Sequence, residues 1–177
     1  IKWKYNWILS FSLVVASVFI LINLLKPEIH SKNLMPALQS IWFVPHVTVY
    51  ILSYSFLSAA TIAAIILLSQ YRRQGPNPQL AAFTDNLVYV GFGLLMIGLL
   101  IGAVWAKEAW GHYWSWDPKE TWSLITWIIY ALVLHLRFTG GLKGRRIAIL
   151  SIAGFASVIM TYFGVNFFLV GLHSYAT

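Results

Sequence analysis

Five histidines, at positions 30, 46, 112, 135 and 173, are the main nitrogen ligands of a 177-residue chain that contains no cysteine. Thiolate ligation and disulfides are therefore excluded within it. His46, in WFVPHVTVY, and His173, in VGLHSY, stand at the edges of apolar runs. His112 lies inside WGHYWSWDPKETW (residues 110–122), which also holds four tryptophans, an aspartate and a proline. Indole rings are large, flat and amphipathic, and massed in a connection they call for something flat to lie against. Two neutral imidazoles without a carboxylate or thiolate beside them suit the two axial positions of an iron porphyrin. The indoles suit its faces and edges, and Lys107 and Lys119, which flank the segment, suit its propionates. A structural zinc site needs four ligands in closed geometry, which the segment does not supply in an obvious way.

The elements that must position these residues are set by composition. The chain is 59% hydrophobic and only 10% charged, against about 25% charged in soluble domains. The expected fold class is all-α, a polytopic transmembrane helical bundle. Its net charge of +7 then belongs to membrane-flanking loops, and no nucleic-acid partner is implied. A span takes about 20 mainly apolar residues. About five runs qualify: Trp7–Leu25, His46–Ser69, Leu87–Ala106, Thr121–Phe138 and Ile147–Val170. Lys26-Pro27-Glu28, YRRQGPNPQ (71–79), the tryptophan-rich loop and TGGLKGRR (139–146) separate them. Gly98 and Gly102 form a GxxxG, and Ala153, Ser157 and Thr161 recur every four residues, both read as close helix packing. Residues 1–177 read as one membrane-embedded domain, a piece of a longer protein or one with disordered ends, since the sequence starts at Ile1 and stops four residues after a histidine. No signal peptide is evident, because the first apolar run lacks a small-residue cleavage site.

Five spans put the termini on opposite sides, so charge orients them. Lys2, Lys4, Arg72, Arg73, Arg137, Lys143, Arg145 and Arg146 share one side, and Lys26, Lys32, Lys107 and Lys119 the other, eight cations against four. The positive-inside rule places the eight in the cytoplasm. The tryptophan-rich loop is then external, with His46 and His173 at the outer mouths of two helices and His135 alone at an inner end. Such residues at a membrane boundary are functional candidates. The blander reading, an aromatic anchoring belt with interfacial histidines, is weighed down by four tryptophans around one aspartate. Within DPKE, Asp117 reads as an N-cap, Pro118 as N1 and Glu120 as the N3 partner of a capping box, a structural role first.

The stretch 105–137, WAKEAWGHYWSWDPKETWSLITWIIYALVLHLR, resembles the WWD signature of the haem-handling proteins of cytochrome c biogenesis. The likeness is to the system II synthase of the Ccs type, in its CcsA part, which is sometimes fused to CcsB. LQSIWFVPHVTVYILSY (38–54) is similar to that family's first external histidine segment, and GVNFFLVGLHSY (164–175) to its second. With FTDNLVYVGFGLLMIGLLIGAVWAKEAW (83–110), the resemblance covers most of residues 38–175.

The resemblance implies a function. Haem b is held at the external face between two histidine ligands and the WWD loop, and the thiols of an apocytochrome c CxxCH motif add to its vinyl groups. On this implication His46 and His173 are the axial ligands and the catalytic residues. Trp110, Gly111, Trp114, Trp116, Asp117 and Trp122 make the haem platform. His135 matches the family's intramembrane histidine, a candidate for a second haem site whose usual partner lies in the CcsB portion. The implied enzyme is a holocytochrome c synthase (haem lyase) component, working with a CcsB-type partner in a bacterial inner membrane or a thylakoid membrane, among lipid. The alternative is a non-catalytic haem exporter or chaperone that delivers haem to a separate ligase.

Overall fold

The computed structural model describes residues 36–140 and 144–173, together with Ser17, Ile20, Leu21, Leu24 and Leu25. Those five are helical and exposed, and belong to a separate unit, residues 1–35. The rest of the expected first span, its charged break and His30 lie outside the described residues.

In the second unit a 3-10 turn, Pro36–Gln39, leads into four helices: α1 (Phe43–Gln74), α2 (Pro78–Trp110), α3 (Pro118–Phe138) and α4 (Arg145–Ile159). Helix α4 continues through a π-helical turn, Met160–Gly164, and one last α-turn, Val165–Phe168. All four elements are long and apolar enough to cross a membrane. The chain is thus an integral membrane protein with an all-helical body. At about 1.5 Å per residue, the 32 residues of α1 reach roughly 48 Å, more than the ~30 Å hydrocarbon core needs. That is why α1 and α2 outrun the spans drawn from apolarity: a helix carries on through polar residues once started.

Local chemistry sets the helix ends. Helix α1 has no side-chain cap, but Pro45 falls in its first turn, where a missing N–H costs nothing. The Asn77 side chain accepts from the Leu80 amide at 3.0 Å, with Pro78 beside it at the start of α2. Helix α2 stops at Gly111, whose φ of +88° is left-handed and whose N–H donates to the Lys107 carbonyl. Helix α3 opens on the full capping box expected from DPKE.

Helix α1 packs chiefly on α2 and also on α4, and α3 on α4. Leu57, Ala60, Val88, Tyr130 and Val158 form the main buried cluster. Between α1 and α2 the glycines act as notches. A Cβ on Gly91 would sit 2.7 Å from Leu57, one on Gly98 2.8 Å from Tyr50, and one on Gly102 2.5 Å from His46. The GxxxG pair serves the expected close helix packing by seating the Tyr50 and His46 rings of α1 in its notches. On α4 the buried stripe is Ser151, Gly154, Ser157 and Thr161, while Ala153 faces outward. Steps of four drift around a helix of 3.6 residues per turn, so the expected Ala153–Ser157–Thr161 row is only partly a packing face. Thr161 reaches Thr126 of α3 at 3.1 Å.

Candidate functional site

His46 occupies the first turn of α1. Its Nδ1 lies 3.0 Å from the Gly98 carbonyl, and a carbonyl can only accept, so Nδ1 carries the hydrogen and Nε2 keeps a free lone pair. The ring stacks on Trp105 at 5.3 Å and 21°, and meets Tyr50 edge-on at 4.9 Å. His173 sits beyond the last helical turn, in a segment that leaves helical geometry at Leu169 (φ −128°, ψ 147°). Its Nδ1 lies 2.8 Å from Asp117 Oδ1. The same reasoning leaves its Nε2 free. Its ring leans on Trp105 at 5.4 Å and on Trp110 at 4.8 Å. Both imidazoles thus touch one indole, and both line one cavity of about 210 Å³.

Asp117 ties the site together. Besides capping α3 through the Lys119 amide at 2.9 Å, its carboxylate accepts from His173 and from the Leu172 amide at 2.5 Å. The cap read from sequence and the histidine partner are one side chain, 6% exposed. A Cβ on Gly171 would collide with its Oδ2, so the tail can approach only because residue 171 has no side chain. Burial would raise the Asp117 carboxyl, but the hydrogen bonds from Lys119, His173 and Leu172 hold it below the usual carboxylate range. Burial, with the Lys119 charge adding to it, lowers His173 despite the opposing pull of Asp117. The imidazole is therefore neutral at physiological pH, as a metal ligand must be.

The cavity wall is mainly aromatic and aliphatic, with Phe43, Tyr50, Tyr54, Trp105, Tyr113 and Trp114 among its residues. Lys119 and Glu120 bring the charge. Lys119 Nζ also meets Asn166 Oδ1 at 2.9 Å, which joins the start of α3 to the last turn before the tail. Lys107 instead folds onto the Gly111 carbonyl at 2.6 Å and is exposed.

The other sequence candidates fall in several places. Trp110 ends α2 and packs edge-on against Trp105 and His173. Trp114 lines the cavity and meets Trp116 edge-on at 5.7 Å, but Trp116 itself is 69% exposed. Gly111 is the left-handed cap of α2, and Trp122 is half-buried on α3; neither lines the cavity. His112 is an exposed loop residue. His135 is exposed near the opposite end of α3, where Arg137 pairs with Asp85. It is far along the helix from the cavity. Sequence reasoning passed over Trp105, which is 2% exposed and donates to the Ala37 carbonyl at 2.8 Å. Its place five residues before Trp110, on a helix face shared with Gly98 and Gly102, was the available signal. Among the described residues no group of three or more histidines and carboxylates could hold a metal ion, so the donors here are a pair.

Residues 1–173 match the family model described as cytochrome C assembly protein. The chain is 42% identical over 170 residues to the cytochrome c biogenesis protein CcsA of Chlamydomonas reinhardtii, covering 92% of this chain and 48% of that protein. It is 44% identical over 178 residues to CcsA of Mesostigma viride, covering 82% and 58%. Protein NrfI of Wolinella succinogenes is 42% identical over 183 residues, covering 95% of this chain and 20% of that protein. The chain spans about half the length of the CcsA relatives.

Proposed function

From a chain that belongs to the cytochrome c assembly family, as a CcsA-type biogenesis protein, we propose a haem-presenting role in cytochrome c maturation. His46 and His173 would hold haem b through their free Nε2 atoms, on the external side of the membrane. Trp105 and Trp114 supply the flat apolar wall, and Trp110 packs edge-on against Trp105 and His173. The single observation that carries the reading is the matched state of the two imidazoles: each has Nδ1 committed to an oxygen, an Nε2 left free of hydrogen bonds, and a place in the wall of the same cavity. Metal-bound histidines almost always carry such a partner on the other nitrogen, which fixes tautomer and ring orientation.

Size supports presentation over storage. Pockets that enclose drug-sized ligands run to about 300–1,000 Å³, and this one is about 210 Å³. A cavity of this size would leave part of a tetrapyrrole uncovered, where a second protein can reach it. When bound, the haem supplies the iron and the vinyl carbons. The protein's part is to hold the macrocycle while the CxxCH thiols approach, and proximity of that kind supplies much of the acceleration for a bimolecular addition. A CcsB-type portion completes the synthase.

Absorption spectra of the full-length protein test the reading, reduced and oxidised. His46→Ala or His173→Ala is expected to lower haem occupancy and the yield of covalent cytochrome, with partial recovery on adding imidazole. Normal spectra and normal yield in both single variants would refute it.

A further inference from the structure

Glu120 is the cavity's one carboxylate among the residues that line it, and only half of it is used. Its Oε2 accepts from the Ser115 amide at 2.8 Å, from Ser115 Oγ at 3.2 Å and from the Asp117 amide at 3.2 Å. Its Oε1 is buried and has no hydrogen-bond partner, in a side chain that is 9% exposed. An orphaned buried acceptor in a cavity wall asks for a donor that arrives with the ligand. The capping box explains Oε2 and leaves Oε1 unexplained.

Charge says which part of an occupant meets it. Lys119 and Glu120 are the cation and anion of the wall. A porphyrin's anionic propionate edge is drawn to Lys119 and repelled by Glu120, which leaves a non-ionic edge at the carboxylate. The vinyl groups are non-ionic, and the group that comes to them is a thiol, a donor. We propose that Glu120 Oε1 accepts the S–H of the incoming cysteine and takes its proton as sulfur adds to the vinyl carbon. The S–H bond and the vinyl π bond break, and a C–S and a C–H bond form. The proton passes from sulfur to Oε1 and on to the other vinyl carbon, so no electrons are gained or lost. This inference rests on the haem-presenting reading above.

The test uses the full-length, haem-loaded protein and a CxxCH peptide. Glu120→Gln can keep its amide oxygen on the three Oε2 donors while placing an NH2 where the orphan acceptor was. It should leave the haem spectrum unchanged and slow attachment at pH 7 by roughly 100-fold, the lower range for losing a general base. The deficit should shrink as pH rises towards the thiol's own value of about 8.5. The variant should also bind the free-thiol peptide several-fold more weakly than the unaltered protein does. An S-methylated peptide, which has no hydrogen to give, should bind both alike. In the unaltered protein the rate should be nearly flat between pH 6.5 and 8.5; a tenfold rise per unit there overturns the proposal. An equal rate and pH profile in Glu120→Gln overturns it too, as does a loss that comes with a changed haem spectrum. If the unaltered protein holds haem yet makes no adduct, the parent reading of presentation for attachment fails as well.

Discussion

The two histidine seats are built on opposite plans. His46 is part of a 32-residue helix, wedged over Gly102 and pinned to a main-chain carbonyl of the neighbouring helix. Both of those contacts are made with α2, and neither is made with the tryptophan loop. His173 rides on a non-helical tail after Phe168, and its anchor is a single carboxylate that also starts α3 and holds the Leu172 amide. One histidine is fixed by the body of the bundle, the other by a contact that can be undone without unpacking a helix. On the proposed haem-presenting reading, that asymmetry makes His173 the ligand expected to yield.

The sharpest way to break the comparison is Asp117→Ala. It removes the α3 cap, the acceptor for Leu172 and the His173 partner together. A lost cap costs ~1 kcal/mol and stranded buried donors ~1–3 kcal/mol, so thermal unfolding in detergent should report a loss of about 2–4 kcal/mol. Haem affinity should fall roughly 10–100-fold, the usual effect of removing a ligand's supporting hydrogen bond. Added imidazole should recover part of it, because the missing ligand is on the tail. A stable variant with normal affinity would show that the tail is held by something else.

Gly102→Ala addresses the fixed seat. The new methyl would lie 2.5 Å from His46 Cε1, and relief requires the ring or the α1–α2 contact to shift. Overpacking of this kind costs ~1–3 kcal/mol, with a weakened haem spectrum. Gly93 has nothing within 4 Å of its would-be Cβ, so Gly93→Ala is the matched control and should gain up to about 1 kcal/mol of helix propensity. Equal behaviour of the two variants would remove the notch argument.

A smaller effect comes from pH. His173 has its protonation lowered by burial, so the unfolded chain binds more protons than the folded one just below about 6.5. Stability of the tail is therefore full above that pH and declines as acid pulls a proton onto the ring. Asp117, held low, contributes in full above about pH 4 and loses that contribution only as the pH falls from there towards its lower folded value. Protection of the Leu172 amide, its exchange rate relative to that of an unstructured amide at the same pH, should fall between pH 7 and 5 in the unaltered protein. The same trend should be absent in His173→Gln, while amides in the body of α1 stay slow. Uniform loss across both regions would contradict the two-plan picture.

Much of this was legible in the sequence, for uneven reasons. The Asp117–Pro118–Glu120 start of α3 is local chemistry, and local chemistry reads well from spacing. Four of the spans read from apolarity, though their ends did not, because helices α1 and α2 run on through polar residues such as Gln70 and Lys107 that a bilayer argument discards. The pairing of His46 with His173 came from the charge-based orientation, which put both at outer helix mouths, and from resemblance to known motifs; nothing in spacing brings residue 46 to residue 173. Trp105 and the ring-seating role of Gly98 and Gly102 were missed because sequence shows a small residue but not what fills the notch. The π-turn at Met160–Gly164, which sets Thr161 towards Thr126 and Tyr162 towards Tyr54, has no sequence mark of its own. The Asp85–Arg137 pair was hidden for the same reason as the histidine pair: its members are 52 residues apart.

Trp116 gives the smallest expected effect and the finest edge to the comparison. It is the only non-glycine among the described residues with positive φ, at +60°, a conformation that costs a large side chain about 1–3 kcal/mol. Its carbonyl accepts from Thr121 Oγ1 at 3.3 Å, and its ring lies largely in the open against Trp114. Trp116→Gly exchanges a strained backbone for a relaxed one and discards a ring that does not line the cavity. Strain relief and the lost edge contact with Trp114, worth ~0.5–1.5 kcal/mol, work in opposite directions. The melting temperature should move little, and the haem spectrum should not move at all. What should change is the encounter with a second macromolecule, seen as a few-fold slower attachment at limiting CxxCH substrate and none at saturation. Loss of haem from Trp116→Gly would mean that the indole shelf extends past Trp114, and that the loop, like the tail, is a conditional part of the seat.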